Sequence, residues 1–379
     1  MAVKLGNGNW AVKEDKLLAY NDNSGLFFNK DFDFSRGSTA TYVGRNGLIA
    51  SAASGVPRID FTNDTKGHLL LEPSTTNLVP YSEDFSQWSL LGGISGTVTY
   101  VSDLVNPDGS VGGYKISNSG AFLSSTLTTT SQRSIYARSV SGTGNAQLMT
   151  HNSNTNNIFT LTEQWQRFDL NSAVSSGAST FYVDLRGSET TLDEIYVWGA
   201  NATNSQDYLT SYIPTTGATS TRNADVCNNS GSAQDFNSEE GVLYAEIAAL
   251  ADDQTNRAIT LSDGTTDNIA QILYASGTSN KIRYIIRSGG VGGGNLDFSS
   301  TANSITNYNK IALRYKLNDA QAWINGTKLS TDTSTNTPVS LTRVDFLYSG
   351  IGNSFYGKVR NLQVFTEALT DEQLQKLTS

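Results

Sequence analysis

The sequence predicts an all-β protein, and a few observations carry that reading. Tyr (17) and Phe (15) are plentiful among Ser, Thr and Asn, while only 16% of residues are charged. Aromatics set among small polar residues suit short strands joined by loops, and they argue against disorder. Several stretches alternate apolar and polar side chains with the period of a half-buried strand. No long helix, heptad or internal repeat is visible. At 379 residues the chain has room for roughly two to three domains. The expected layout is an irregular β module over 1–76 and two further β domains, 77–225 and 226–379, the second ending in a short helix.

Residues 1–31 place Trp10, Leu17, Leu18, Tyr20, Phe27 and Phe28 among turn residues without a clean period. Apolar content of this kind must dock on something, either the chain's own first domain or a partner. From Phe32 to Asn77 the pattern sharpens. Thr39, Thr41, Tyr42 and Val43 are β-prone, Arg45-Asn46-Gly47 supplies a turn, and Leu48-Ile49 resume an extended run. Pro57 forces Val56 out of the helical region, so Val56–Phe61 is extended, and Leu69–Leu71 form the next apolar run.

In the middle of the chain, SIYARSV (134–140) sets Ile135 and Ala137 on one face, with Tyr136 and Arg138 on the other. FYVDLRG (181–187) points Phe181, Val183 and Leu185 inward, with Tyr182, Asp184 and Arg186 outward. DEIYVWGAN (193–201) sets Ile195 and Val197 against Tyr196 and Trp198. If the first two strands are neighbours, Tyr136, Arg138, Tyr182, Asp184 and Arg186 share one sheet face. Rings, guanidinium forks and a carboxylate in a row are what a sugar site uses. An ordinary solvated face, or a surface packed on the adjacent domain, is the alternative. Trp88, Trp165, Trp198 and Trp323 are expected in the core. Beyond the Asn- and Ser-rich stretch 226–238, strand-like pieces alternate with Gly, Asn and Ser turns. Asn325-Gly326 is a two-residue hairpin signal, and Thr370 caps a helix over DEQLQKL.

Four pieces resemble a segment that recurs in bacteriophage virion proteins, many of them tail, tail-fibre or head-fibre components. They are SRGSTATYVGRNGLI, VPRID, GHLLLEPSTTNL and YSEDFS, in that order within about fifty residues. The usual form carries Arg where this chain has Thr75 or Thr76, which removes an ion-pair partner. GNGNWAVKEDKLLAYND is similar to the start of some phage structural proteins, which implies virion docking through Trp10, Leu17, Leu18 and Tyr20. NLVPYSEDFSQW resembles the opening of a carbohydrate-binding-module jelly roll, TEQWQRFDL its Trp-bearing strand, and TSYIPTTGATSTRNAD the close of that region in phage proteins. KIALRYKLNDAQAWINGTKLS and FYGKVRNLQVFTEALTDEQLQKL resemble the closing half of a concanavalin-like (laminin-G-type) sandwich. In such jelly rolls an Asp near the start of the last strand ligates calcium, and Asp193 holds that place. The usual acidic partner is replaced by Ser86, with Glu83 and Asp84 ahead of Phe85. Calcium wants six to eight oxygens, so solvated surface acids are the alternative.

The resemblance implies a non-enzymatic structural component of the virion, synthesised in the host cytoplasm. Its expected partners are other virion proteins, host-surface glycan and copies of itself, a trimer being favoured as in many phage fibres. The rivals are a connector with no ligand and a polysaccharide-degrading enzyme. A net charge of −9 without any basic run excludes ordinary nucleic-acid binding. MAVKLGNGNW lacks the apolar core of a signal peptide, and no stretch reaches membrane length, so no membrane insertion is expected. One cysteine, Cys227, excludes an internal disulfide or a cysteine cage. His68 and His151 sit in no triad-like context.

Overall fold

The computed structural model describes residues 2–7, 11–13, 16–21, 30–91, 96–151, 157–170, 178–204, 207–290, 296–348, 352 and 354–379. The fold is all-β with one short α-helix at the C-terminal end. Two compact units form: 1–37 with 52–73 and 224–379, and 38–51 with 74–223. This corrects the expected boundaries. Residues 1–76 are not a module of their own but are shared between the units.

The first unit stacks two antiparallel sheets. The larger runs, in spatial order, Ala11–Lys13, Lys16–Asn21, Ala2–Asn7, Gly357–Phe365, Glu240–Ala249, Asn309–Lys316, Ala320–Ile324 and Thr327–Asp332. The smaller runs Leu296–Thr301, Lys281–Arg287, Ile269–Tyr274, Arg257–Ser262 and Arg343–Asp345. Strand Glu240–Ala249 is apolar almost throughout because it is covered on both sides. Leu243, Ala245 and Ile247 enter the core between the sheets, while Val242 and Tyr244 pack with Trp323 and with Leu374 of the helix Asp371–Thr378. That helix carries the expected cap: Gln373 N–H donates to Thr370 Oγ1 (3.3 Å), and Thr370 N–H donates to Gln373 Oε1 (2.8 Å). Asn325 and Gly326 turn the expected hairpin with φ of 46° and 80°, the left-handed pair that a tight β-turn of this twist requires.

The N-terminal segment departs from expectation. Ala2–Asn7 pairs along Gly357–Phe365, with Ala2 opposite Phe365 and Leu5 opposite Leu362. It is a sheet strand joined to residues from the far end of the sequence, a pairing that no local pattern announces. Leu17, Leu18 and Tyr20 lie on Lys16–Asn21, next to it in the sheet. Trp10 lies outside the described residues.

Four charged side chains, Arg36, Arg58, Glu72 and Asp225, meet in this unit as a buried ion cluster. Arg58 reaches Glu72 Oε2 at 2.7 Å and Asp225 Oδ2 at 2.5 Å, and Arg36 reaches Asp225 Oδ1 at 3.0 Å. All of these side chains are 0–1% exposed. Arg36 also donates to the carbonyl of Ala53 (2.7 Å), and Asp225 accepts from the Glu72 N–H (2.8 Å). Burial opposes the charge on Arg58, but Glu72 and Asp225 outweigh it and raise its pKa. Arg36, Ala53, Glu72 and Asp225 each stand one residue inside a boundary of this unit, so the cluster ties down every point where the chain enters or leaves it. SRG, VPRID, LLLEP and RNAD thus each supply one ion of a neutral, desolvated set.

The second unit is a sandwich of two five-stranded antiparallel sheets. One runs Ser89–Leu90, Gly120–Ser124, Thr180–Asp184, Gly144–Leu148, Ile158–Leu161. The other runs Thr97–Val105, Val111–Ser117, Glu194–Thr203, Gln132–Ser139, Gln166–Leu170. Ile135, Ala137, Phe181, Val183, Ile195 and Val197 fill the space between them, as alternation predicts. Past Val197 the register shifts at Gly199 (φ 64°), after which Ala200 and Ala202 face the core. A Cβ at Gly199 would lie 3.2 Å from the Tyr136 ring. Asn77 is fully buried, and its amide donates to the carbonyls of Ala200 (3.1 Å) and Ile213 (2.7 Å) and accepts from the N–H groups of Val79 (3.1 Å) and Ala202 (3.0 Å). A satisfied buried amide of this kind fixes where the opening segment meets the last strand.

A candidate ligand cleft in the second unit

Strand Gln132–Ser139 turns Ile135 and Ala137 into the core, which sends Tyr136 and Arg138 out of the sheet. There they line a cleft of 420 Å³ with Trp165, Glu163, Leu48 and Val105 among the other walls. Leu48 comes from the hairpin of strands Ala40–Val43 and Ile49–Ala52, turned at Gly47 (φ 79°). Tyr136 packs against further rings, Trp198 edge-on at 5.6 Å and, beyond it, Tyr212 tilted at 4.8 Å from Trp198, with Ile49 in the same cluster. The Tyr212 hydroxyl donates to Glu83 Oε1 at 2.6 Å. Burial pushes the Glu83 carboxyl up against the lowering pull of that hydrogen bond, and burial with the nearby Glu83 raises the Tyr212 phenol. Tyr136 is thus backed by a buried aromatic cluster, while the polar chemistry of the cleft stands at Arg138 and Glu163.

At the rim, the Arg138 guanidinium lies over the rings of Tyr196 (4.6 Å) and Trp165 (5.5 Å). Its Nη1 donates to the Glu163 carbonyl at 3.1 Å, while the Glu163 carboxylate accepts from the Gly142 N–H at 2.6 Å. Trp165 is half-buried, and its Nε1 donates to the Val105 carbonyl at 2.8 Å. Leu48 is 38% and Val105 55% exposed, so the mouth is apolar as well as aromatic. A ligand with an apolar ring face and polar substituents matches such walls.

The five expected sugar-contacting residues do not share a face. Strands Gln132–Ser139 and Thr180–Asp184 belong to opposite sheets, so their outward sides point in opposite directions. Alternation fixes inside against outside but not which sheet a strand joins. Tyr136 and Arg138 come together in the cleft. Tyr182 instead stacks on Phe122 (5.8 Å) with His151 edge-on at 5.2 Å. Arg186 clamps the buried carboxylate of Asp184, Nε to Oδ1 and Nη2 to Oδ2 both at 2.8 Å. Trp165 is the cleft wall that sequence reasoning assigned to the core; Trp88, Trp198 and Trp323 are buried as expected.

Asp193 is exposed, and its carbonyl accepts from the Asn118 N–H (2.7 Å). Asp84 caps a short turn at Phe85–Gln87 and accepts from the Tyr114 hydroxyl at 2.8 Å. Among the described residues, no group of three or more His, Cys, Asp or Glu could hold a metal ion. In the first unit His68 is buried between Asp60 (Nε2–Oδ1 3.7 Å) and Asp64 (Nδ1–Oδ2 3.6 Å). Burial pushes its imidazole down to about 4, against the raising effect of the two carboxylates. Among the described residues, no helix is long and apolar enough to cross a membrane.

No protein-family model matches the chain, and no curated protein matches its sequence. Solved structures with partial likeness include the CBM40 module of a Ruminococcus gnavus IT-sialidase, 15% identical over 40% of this chain and 94% of that one, with a TM-score of 0.34. The same module bound to alpha2,3 sialyllactose gives 14% identity, 40% and 94% coverage and a TM-score of 0.32. A heptameric SAP-like pentraxin from Limulus polyphemus is 12% identical over 37% of this chain and 70% of its own, with a TM-score of 0.31.

Proposed function

We propose that this chain is a non-enzymatic glycan-binding component of a bacteriophage particle, a fibre or decoration protein that takes host-surface glycan into the cleft of its second unit. The observation that carries the binding role is the cleft itself, where the aromatic walls Tyr136 and Trp165 stand beside the guanidinium of Arg138. Ring faces stack on the apolar faces of sugars, and the fork fixes oxygens in a plane. The particle address rests on the phage-like motifs between Arg36 and Ser86. On the particle the chain would contact other virion proteins and assemble as a homo-oligomer, a trimer by analogy with phage fibres. A millimolar contact per site, roughly 4 kcal/mol, would then gain strength from many copies.

The test presents the parent chain and Trp165→Ala with immobilised host capsule and lipopolysaccharide, scoring bound protein and released reducing ends. Expected is binding by the parent alone, with no reducing ends. No binding to any glycan leaves the connector reading, and released ends establish the enzyme reading.

A further inference from the structure

Arg138 differs from most arginines of this chain in what surrounds it. Arg36, Arg58, Arg186, Arg257, Arg283, Arg314, Arg343 and Arg360 each lie within ion-pair distance of a carboxylate. Among the described residues no carboxylate pairs with Arg138. The nearest candidate in sequence pairing, Glu163, offers it a main-chain carbonyl and turns its own carboxylate to the Gly142 N–H. Nη1 is thereby used, while Nε is buried and has no hydrogen-bond partner. The guanidinium also lies over the rings of Tyr196 and Trp165, contacts that orient it before any ligand arrives.

From this we infer that the cleft selects a carboxylate-bearing sugar, its acid group meeting the guanidinium of Arg138 while a ring face of the sugar lies against Trp165. The inference rests on the glycan-binding reading above and names the class of glycan. A neutral sugar hydroxyl leaves the charge of this guanidinium unpaired, whereas a carboxylate neutralises it. Such a contact is charge-assisted, so binding weakens as salt rises.

The experiment is an array on which each acidic glycan is printed beside its carboxyl-reduced counterpart and neutral glycans. The probes are the full-length chain and its Arg138→Gln and Arg138→Lys variants, each first shown to melt like the parent. Every glycan bound by the parent should carry a carboxylate, and its reduced form should bind at least about 10-fold less. Arg138→Gln should lose that discrimination, and Arg138→Lys should retain part of it as a point charge without the fork. Because the decisive change is made on the glycan, the result does not depend on either variant folding. Equal binding of reduced and native forms overturns the carboxylate inference and leaves the glycan reading standing. Absence of binding to every glycan, acidic or neutral, overturns both.

Discussion

Replacing Arg58 by Met probes the buried ion cluster of the first unit. Met is apolar and similarly long, so little packing is lost and the change falls mainly on charge. Two contacts disappear, 2.7 Å to Glu72 and 2.5 Å to Asp225. Asp225 keeps Arg36 at 3.0 Å and the Glu72 N–H at 2.8 Å, but Glu72 loses its arginine in a site without water access. Breaking a buried pair by removing one partner costs about 3–5 kcal/mol, because the other charge stays desolvated. In a unit of this size each kcal/mol moves the melting temperature by roughly 2–4 °C, so a fall of roughly 6–20 °C is expected. Thermal and urea unfolding followed by circular dichroism measures it. The double variant Arg58→Met/Glu72→Met should be more stable than Arg58→Met alone, since the stranded carboxylate is then gone. A loss under about 1 kcal/mol for the single variant, or a double variant that simply adds two costs, would refute the reasoning.

The His68 imidazole, held down to about 4 against an ordinary 6.5, binds a proton in the unfolded chain before it does in the folded one. Stability therefore falls as pH drops from about 6.5 toward 4, by up to roughly 3 kcal/mol. Urea midpoints of parent and His68→Gln across that window should converge at the acid end; parallel curves would count against it. Arg186→Ala leaves the buried Asp184 carboxylate without its fork, so a loss of about 2 kcal/mol is expected. In the same assay format Tyr182→Ala should leave glycan capture at the cleft unchanged, because it lies on the opposite sheet; lost capture in a folded Tyr182→Ala would reject the cleft as the site. Deleting residues 1–21 strips a neighbour from Gly357–Phe365 and bares its edge. The truncated chain should aggregate or melt lower, and a soluble truncation with the parent's melting temperature would show that this strand is dispensable.

Much of the local structure was legible in the sequence. Alternation placed Ile135, Ala137, Phe181, Val183, Ile195 and Val197 in the core of the second unit, because a one-residue slip would bury charges. Turn and cap chemistry located the Asn325-Gly326 hairpin and the Thr370 cap, since those conformations suit few side chains. The motifs were also visible as text, but their cause was not. Arg36, Arg58, Glu72 and Asp225 are far apart along the chain and look like unremarkable surface charges. Their only signal was that each sits inside one of the recurring pieces.

What the sequence by itself determined is thus the all-β class, the inward side of each strand and the ends of its best-marked turns, all of them settled by neighbours a few residues apart. The tertiary structure alone decided that residues 2–7 complete a sheet with 357–365, that four distant ions cancel one another, and that Tyr136 and Tyr182 face opposite ways. It also decided that Trp165 lines a cleft with Tyr136 and Arg138. Strand order depends on pairings between remote segments, and a period of two residues carries no information about which partner a strand will find.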